Sequence, residues 1–405
     1  MNLLDFFRTR PSPDSFASLV MRQARADGQV QKLIYDAEQF RILMGENSQH
    51  IFNLDNAYHD YCAAPRKMRA QVLQNYLASM VVPGLPASFA EAKPCLMPVV
   101  RSRAQGDYLR LVALTQPERQ QVNDAYRSLD DDTIIMLAYN TDSHMAIVGQ
   151  AVLAQWGVTF DAALTAAMDN LRECTPYSFT DLGDGLLMGE WQDDYDSSRL
   201  LLPDLLSRVC KDAEPLAMIP SRGRFLLASS HNVAGQLRMI SLADQLVQDE
   251  GRLVSATMYR IEQGKIVVFQ PSDAAVAGAL AHFQQLMRAH HYELQKEQWD
   301  RVNDSIGEDI FVATCMLIKS KDGQRVTSAA SWTRGVNTLL PRTDIVAMVE
   351  LDDAGGESTT KMLAWNDALA ICGELMQEVD CYPVRYRVQA FPAAQHLESA
   401  PAFEL

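Results

Sequence analysis

Four acidic side chains lie close together in the middle of the chain: Glu190, Asp193, Asp194 and Asp196. Carboxylate oxygens of this kind are the ligands that Mg²⁺ and Ca²⁺ prefer, and Asp194 or Asp196 could instead act as a catalytic base. An EF-hand loop is excluded, because counting from Asp193 neither the glycine at the sixth position nor the glutamate at the twelfth is present. The alternative is structural: Asp196 or Ser197 caps a helix, and the acids offset the positive end of its dipole.

Three arginines are candidates for binding an anion. Arg101 and Arg103 end a predicted strand and, being two residues apart, should project from the same face of it. Arg199 follows the acidic cluster. Guanidinium groups bind phosphate and carboxylate through paired hydrogen bonds, so together these side chains could anchor a small anion. The alternative is that Arg199 pairs with Asp196 and that the other two lie in solvent.

His144 is a third kind of candidate, a catalytic histidine. With Asn140, Asp142 and Ser143 it follows a predicted strand, a position where α/β proteins often gather ligand-binding groups. It would need a remote partner, because adjacent side chains on a helix diverge. The alternative is a surface histidine beside a helix cap. The sequence has no GxxxxGK[ST], GxGxxG, GxSxG or HExxH motif, so we predict no metal centre and no cofactor.

The elements that must position these residues alternate between strands and helices. The apolar pattern predicts a buried strand over 133–139, a helix from Asp142 or Ser143 to about Trp156, and a second helix from Thr159. Two later segments each consist of a hairpin followed by a helix, over 216–247 and 255–290. Such units form an antiparallel sheet that is covered on one side by helices.

The sequence therefore predicts an α+β protein, in which small antiparallel or mixed sheets are each covered by helices. Because 405 residues exceed the usual size of one hydrophobic core, we expect two or three packed domains. The predicted domains are an N-terminal unit over 1–130, a central unit over 131–295 that holds the two hairpin-helix segments, and a C-terminal unit over 305–405. A charged segment over 295–309 marks the second boundary.

The composition indicates which classes of binding partner and which cellular compartment to expect for this protein. The net charge of −15 argues against unaided binding to nucleic acid or to an anionic membrane, because both require a basic surface. The seven cysteines are scattered and form no CxxC pair, which is typical of reduced thiols in a cytosol. The first ten residues are interrupted by charge, unlike a signal peptide, and no apolar run approaches the ~20 residues of a membrane span. We therefore expect a soluble, cytoplasmic protein.

Three segments resemble the motifs of a known family. They run from Phe52 to Tyr58 (FNLDNAY), from Met97 to Arg103 (MPVVRSR) and from Tyr195 to Asp204 (YDSSRLLLPD). These phrases are similar to those of the bacterial YtpQ-like family, domain of unknown function 1444, over about residues 1–290. The resemblance implies a bacterial, cytosolic origin. It implies no catalytic residue, because the family has no established activity.

Two functions remain open from the sequence. The first is a protein-binding or accessory module without catalysis, whose partner is another protein; the absence of a convergent catalytic set, the acidic surface and 18 adaptable methionines favour it. The second is an enzyme that acts on an anionic small molecule. In that case Arg101, Arg103 and Arg199 would anchor the substrate, and Asp194 or Asp196 would serve as base or as ligand of a divalent metal. Assembly into a homo-oligomer is compatible with either function.

Overall fold

The structure is a computed structural model, and it describes residues 10–26, 32–37, 40–44, 50–80, 85–115, 125–141, 145–191, 193–209, 214–250, 253–320, 326–351 and 359–403. The chain divides into two compact units. Unit 1 comprises 1–97, 137–148 and 152–167, and unit 2 comprises 98–136, 149–151 and 168–405. These limits do not coincide with the predicted boundaries near 130 and 300, and the three-domain organisation stays a prediction.

Unit 1 begins with a small antiparallel sheet and the helices that pack on it. Its elements are α1 (Pro13–Ala26), β1 (Leu33–Asp36), β2 (Arg41–Met44), β3 (His50–Asn53), α2 (Asp55–Ala63), α3 (Arg69–Met80) and α4 (Phe89–Ala92), with strand order β1-β2-β3. The Ser12 hydroxyl accepts the N–H of Ser15 at 3.2 Å, as the cap before Pro13 predicts. Phe16, Val20 and Leu77 bury the apolar faces of α1 and α3 against the sheet.

The next part of the chain forms a mixed strand and helix region. Its elements are β4 (Leu96–Ser102), α5 (Arg103–Leu114), β5 (Tyr126–Ser128), β6 (Thr133–Asn140), β7 (Met145–Ile147), α6 (Gln150–Trp156) and α7 (Phe160–Glu173). The predicted strand over 133–139 and the helix after Thr159 are confirmed. The helix predicted from Asp142 or Ser143 is wrong in its first half, because Met145–Ile147 pairs with β6 and the helix begins only at Gln150. Pairing with a strand edge overrides the local helical pattern here.

Unit 2 contains a six-stranded antiparallel sheet. Its elements are β8 (Phe179–Asp181), β9 (Leu187–Gly189), a 3-10 helix (Ser197–Leu201), α8 (Pro203–Val209), β10 (Pro215–Met218), β11 (Leu226–Ser229), α9 (Val233–Glu250), β12 (Tyr259–Glu262), β13 (Lys265–Val268) and α10 (Ala274–Ile306), in the strand order β13-β12-β10-β11-β9-β8. Both predicted hairpin-helix segments are confirmed. Met239 of α9 and Leu280 and Phe283 of α10 are buried in one core with the strands, so the helices cover the sheet.

Helix α10 is the long element of unit 2, with 33 residues and a length of about 50 Å. The Asp273 carboxylate caps its start by accepting two backbone N–H groups, and Gly307, at φ +69°, ends it in the left-handed conformation. Most of the charged segment predicted as a domain boundary, residues 295–306, belongs to this unbroken helix. The reason is that Gln295, Gln298 and Val302 are buried, so this segment packs inside unit 2.

Two four-stranded mixed sheets follow α10. Their elements are β14 (Phe311–Val312), β15 (Met316–Lys319), β16 (Val326–Thr333), β17 (Thr338–Pro341), β18 (Ile345–Glu350), β19 (Thr359–Ala364), α11 (Trp365–Cys372), a 3-10 helix (Gly373–Leu375), β20 (Gln377–Val379), β21 (Arg385–Val388) and α12 (Ala394–Ser399), in the orders β14-β17-β21-β20 and β15-β16-β18-β19. The sequence Asp322-Gly323 predicts a hairpin turn. Strands β15 and β16, on either side of it, pair as a hairpin, and the turn itself lies outside the described residues. One core, which includes Trp332, Leu340 and Val388, draws side chains from both sheets.

The prediction of the fold class is confirmed: the protein is α+β, with several small antiparallel or mixed sheets and helices packed on them. Within the described ranges, no helix by itself has the length and apolar composition needed to cross a membrane. Helices α6 and α7, which lie at an angle of 92° to each other, have the required length and apolar composition only when the two are counted together.

Candidate functional site

Arg199 lies at the centre of a buried polar cluster in unit 2. Its two terminal nitrogens bind the two carboxylate oxygens of Asp193 at 2.8 and 2.6 Å, and its other donors reach the Thr175 hydroxyl and the Cys174 carbonyl. The guanidinium also stacks on the Trp191 ring at 4.3 Å. The predicted pairing with Asp196 is therefore wrong, because Asp193 takes that role. Most of the donors of Arg199 are engaged within the protein.

The acids of this cluster have different surroundings. Burial raises the pKa of Asp193, but hydrogen bonds from Arg199 and its charge outweigh that effect and hold the pKa below its ordinary value. Asp196 is 1% exposed, and burial followed by the charge of Asp193 raises its pKa. Its Oδ1 accepts the N–H of Trp191 at 3.3 Å, and it forms no side-chain cap on the 3-10 helix, so the predicted cap is wrong. Asp194 lies at a φ of +64°.

No three His, Cys, Asp or Glu side chains within the described ranges are grouped so that they could hold a metal ion. His144 falls outside those ranges, so its catalytic role stays a prediction. The catalytic roles suggested for Asp194 and Asp196 also stay predictions, although the structure describes both residues.

The structure separates the predicted pair Arg101 and Arg103. Arg101 lies in β4, is 6% exposed and donates to the Val100 carbonyl at 2.9 Å. The strand ends at Ser102, and Arg103 is the first residue of α5, so the expectation that both arginines project from one strand face is wrong. Arg103 is exposed and stacks on the Tyr382 ring at 4.4 Å. Of the three predicted arginines, only Arg103 faces the cleft described next.

An open cleft of about 610 Å³ lies in unit 2. It is bounded by the start of α5, the β5–β6 turn, the middle of α10, the β17–β18 turn, the start of α11 and the β20–β21 turn. Its lining residues are Arg103, Asp131, Asp132, Arg288, Tyr292, Arg342, Thr343, Asp344, Ala364, Trp365, Asn366, Tyr382, Pro383 and Val384. A space of this size accommodates a small metabolite.

Three arginines face this cleft, and they have few partners. Arg288 and Arg342 are exposed, and neither side chain forms a hydrogen bond or an ion pair with any residue that the structure describes. Arg103 makes only a long contact, 3.5 Å, to the Asp131 carbonyl in addition to its stacking on Tyr382. Guanidinium donors without protein partners are available to an anion that enters the cleft.

The N-termini of two helices lie at the cleft. Helix α5 begins with Arg103, and α11 begins with Trp365, both of which line the cleft. Neither helix has a side-chain cap: Ser102 does not form one, and Ala364 has no oxygen to do so. The Arg103 N–H donates to the Asp132 carbonyl and the Trp365 N–H to the Asp344 carbonyl, so the first N–H of each helix is used within the protein. The positive end of each helix dipole still favours an anion.

Of the three carboxylates that line the cleft, on Asp131, Asp132 and Asp344, the last two accept hydrogen bonds from neutral donors. Asp132 accepts a hydrogen bond from the Tyr382 hydroxyl. Asp344 accepts the Ser328 N–H and hydroxyl at 2.8 and 2.7 Å, and the Gln285 amide at 3.0 Å. Solvent reaches Asp132, but desolvation by the surrounding protein raises its pKa, and so does the negative charge of Asp130. The positive charge of Arg288 acts in the opposite direction. The arginines of the cleft are therefore not neutralised by direct contact with these acids.

Buried groups hold the turns around the cleft in place. The Tyr292 hydroxyl donates to the Val384 carbonyl at 2.7 Å and accepts the Arg342 N–H at 3.1 Å, so α10 is joined to two of the turns. The β5–β6 turn is fixed by Asp130, whose Oδ1 accepts the N–H groups of Asp132 and Thr133, each at 2.8 Å. These contacts orient the lining residues without using the arginine side chains.

A smaller cavity of about 40 Å³ adjoins the cleft. The two spaces share Asp132, Arg288, Tyr382 and Pro383 as lining residues. The remaining walls of the small cavity are Val254, Ser255, Ala256, Gln284, Met287 and His291. Burial, followed by the charge of His290, lowers the pKa of His291 to about 4, so its imidazole is neutral at pH 7.

This low pKa predicts a dependence of stability on pH. The unfolded chain binds a proton at His291 near pH 6.5 and the folded chain only near pH 4, so stability falls as the pH is lowered between these values. We expect the free energy of unfolding to fall by about 2 kcal/mol more in the wild type than in His291→Leu between pH 7 and pH 5. Urea unfolding at both pH values measures this difference. Equal changes in the two proteins would show that His291 titrates normally in the folded state.

The comparisons with known proteins found no relative: no family model matches this sequence, and no curated protein or solved structure does either. The resemblance to the YtpQ-like family therefore stays a prediction. Sequence reasoning missed Arg288 and Arg342. Only the four-residue spacing of Arg288 and Tyr292, which places both on one face of a predicted helix, offered a signal.

Proposed function

We propose that this protein binds a small anionic molecule in the cleft of unit 2, through Arg103, Arg288 and Arg342. The observation that carries the proposal is that two of these guanidinium groups, on Arg288 and Arg342, face the cleft and have no hydrogen-bond or ion-pair partner among the described residues. A cation left unpaired on a protein surface gains more from an incoming anion than one that already has a carboxylate partner, because no existing contact must be broken.

The positions of the arginines favour an anion with more than one charge. Arg103 comes from the start of a helix, Arg288 from the middle of α10, and Arg342 from a turn between strands, so three separate walls each contribute a cation. The uncapped starts of α5 and α11 favour negative charge at the same cleft. A phosphate or pyrophosphate group, or a compound with several carboxylates, has this chemistry.

The proposal concerns the ligand class that the sequence suggested as an alternative, an anionic small molecule, but with a different set of arginines. Arg103 is common to both sets. Arg101 and Arg199 are buried and bonded within the protein, and they are replaced by Arg288 and Arg342. The expectation of a protein-binding module without catalysis stays a separate prediction.

Chemical modification of arginines locates the site in the protein of natural sequence, without any substitution. Phenylglyoxal, which reacts with guanidinium groups, would be applied to the full chain with and without pyrophosphate, and the rate at each arginine would be read by mass spectrometry of peptides. We expect pyrophosphate to slow modification of Arg288 and Arg342 by about fivefold or more, since a bound anion blocks both groups. Citrate in place of pyrophosphate distinguishes phosphate from carboxylate ligands.

Arg208 is the control in the same experiment. It is exposed on α8, lies outside both cavities and pairs with Asp204 at 3.1 Å. Its modification should not respond to the anions. Equal protection of Arg208 would indicate general screening by salt, and protection of neither Arg288 nor Arg342 by any of the anions would contradict the proposed function.

A further inference from the structure

The small cavity beside the cleft has the properties of a binding subsite. Four of its lining residues also line the cleft, so the two spaces are adjacent. Its volume of about 40 Å³ is enough for two or three water-sized groups. A molecule held by the arginines could therefore extend a short substituent past Arg288 into this space.

Apart from the residues shared with the cleft, the walls of the small cavity combine three polar and three apolar side chains and carry no charge at neutral pH. His291 is a neutral imidazole, which offers one N–H donor and one nitrogen acceptor. Within the described part of the chain, its ring forms no hydrogen bond. The Gln284 amide makes only a long contact, 3.5 Å, to the Ala256 carbonyl. These two side chains have hydrogen-bonding capacity to spare.

Ser255, in contrast, is fully used and is not an activated nucleophile. Its oxygen accepts the Thr257 N–H at 3.0 Å and lies 2.9 Å from the Tyr259 hydroxyl. The Tyr259 hydroxyl donates to Asp130 at 2.6 Å, so the Ser255 proton is left to point at the Tyr259 oxygen. Burial raises the pKa of Tyr259, so it does not act as a base toward Ser255. Apart from Arg288, the polar side chains of the cavity with spare hydrogen-bonding capacity, among the described residues, are those of His291 and Gln284.

We infer that the small cavity is a subsite for a short, uncharged, hydrogen-bonding substituent of the anion bound in the cleft, and that His291 determines this specificity. The inference rests on the proposed function, because the anionic group of the ligand must occupy the cleft. The ligand class is an anion, such as a phosphate monoester, with a hydroxyl about two carbons from the ester oxygen. A subsite that hydrogen-bonds a hydroxyl discriminates against an analogue in which a methyl group replaces it.

The test compares two probes of nearly equal size, 2-hydroxyethyl phosphate and propyl phosphate, which differ by a hydroxyl in place of a methyl group. Calorimetric titration of the full chain measures both affinities, together with that of inorganic phosphate. We expect the hydroxyl compound to bind the wild type about tenfold or more tightly than propyl phosphate, equivalent to about 1.4 kcal/mol. In His291→Leu this preference should fall to about twofold or less, while the affinity for inorganic phosphate is retained.

His290→Leu is the matched control, because His290 is the adjacent histidine of α10, is exposed and does not line the cavity. It should keep the wild-type preference. Equal affinities of the two phosphate esters for the wild type would overturn the subsite, and this comparison does not depend on any variant. A preference that survives in His291→Leu would overturn the role of His291. If the wild type bound neither ester nor any of the anions phosphate, pyrophosphate and citrate, the proposed function itself would fail.

Discussion

Replacing Arg385 with methionine is expected to lower the free energy of unfolding by about 3–5 kcal/mol. Arg385 lies in β21 and is 0% exposed. Its guanidinium donates to the Gln295 side chain at 2.6 Å and to the carbonyls of Ala313, Leu339 and Tyr292 at 2.8, 3.1 and 3.0 Å. Burial lowers its pKa to about 10, so it remains charged at pH 7.

The large effect follows from the acceptors that the substitution would leave behind. Methionine fills part of the volume but donates no hydrogen bond, so three buried carbonyl groups and the Gln295 oxygen lose this donor. The Gln295 and Tyr292 oxygens lie in α10, the Ala313 carbonyl comes directly after β14, and the Leu339 carbonyl lies in β17. The guanidinium therefore joins the long helix to the C-terminal sheets. The measurement is urea unfolding, in which the midpoint should shift to lower urea.

Arg387→Met is the control for this prediction. Arg387 lies two residues further along β21, is partly exposed and contacts Glu308 at 3.5 Å and Asn337 at 3.4 Å. Surface contacts of this kind contribute little, so we expect a loss of less than about 1 kcal/mol. Similar losses in the two variants would contradict the view that Arg385 is a buried connection between α10 and the C-terminal sheets.

Much of the fold could be predicted because the hydrophobic pattern and the interior burial agree. The predicted strand over 133–139 has a continuous apolar run at its centre, and residues 133–138 are buried. The two hairpin-helix segments carry turn residues at both hairpin loops, such as Gly264 at φ +75°. The same reasoning placed a helix at Met145–Ile147 and a boundary near 300. It failed at Met145–Ile147 because strand pairing with β6 overrides the local helical pattern, and near 300 because one face of the charged segment in α10 is buried.

The candidate site could be predicted only in part. Arg103 was chosen on a mistaken strand geometry, yet the structure does place it at the cleft. Arg199 was chosen because acidic residues lie near it in sequence. One of those acids, Asp193, forms the ion pair that occupies its guanidinium. Arg288 and Arg342 lie 54 positions apart and carry no motif. Their shared cleft arises from the packing of α10 against the C-terminal sheets, which local sequence does not encode.

Loss of the Arg288 guanidinium should have the largest effect on ligand binding. Arg288 is the arginine that lines both the cleft and the small cavity, and no described residue pairs with it. We expect Arg288→Gln to weaken the binding of pyrophosphate about tenfold or more, which corresponds to about 1.4 kcal/mol or more. Because the side chain is exposed and unpaired, its replacement should change the free energy of unfolding by less than about 0.5 kcal/mol.

Titration of pyrophosphate into the wild type, Arg288→Gln and Arg208→Gln at low ionic strength tests the central claim most directly. Low salt matters because exposed charges are screened within about 10 Å at 0.1 M salt. The anion-binding cleft predicts saturable binding to the wild type and to Arg208→Gln with equal affinity, and binding to Arg288→Gln that is at least about tenfold weaker. Equal affinity of all three proteins for pyrophosphate, with Arg288→Gln as stable as the wild type, would contradict it.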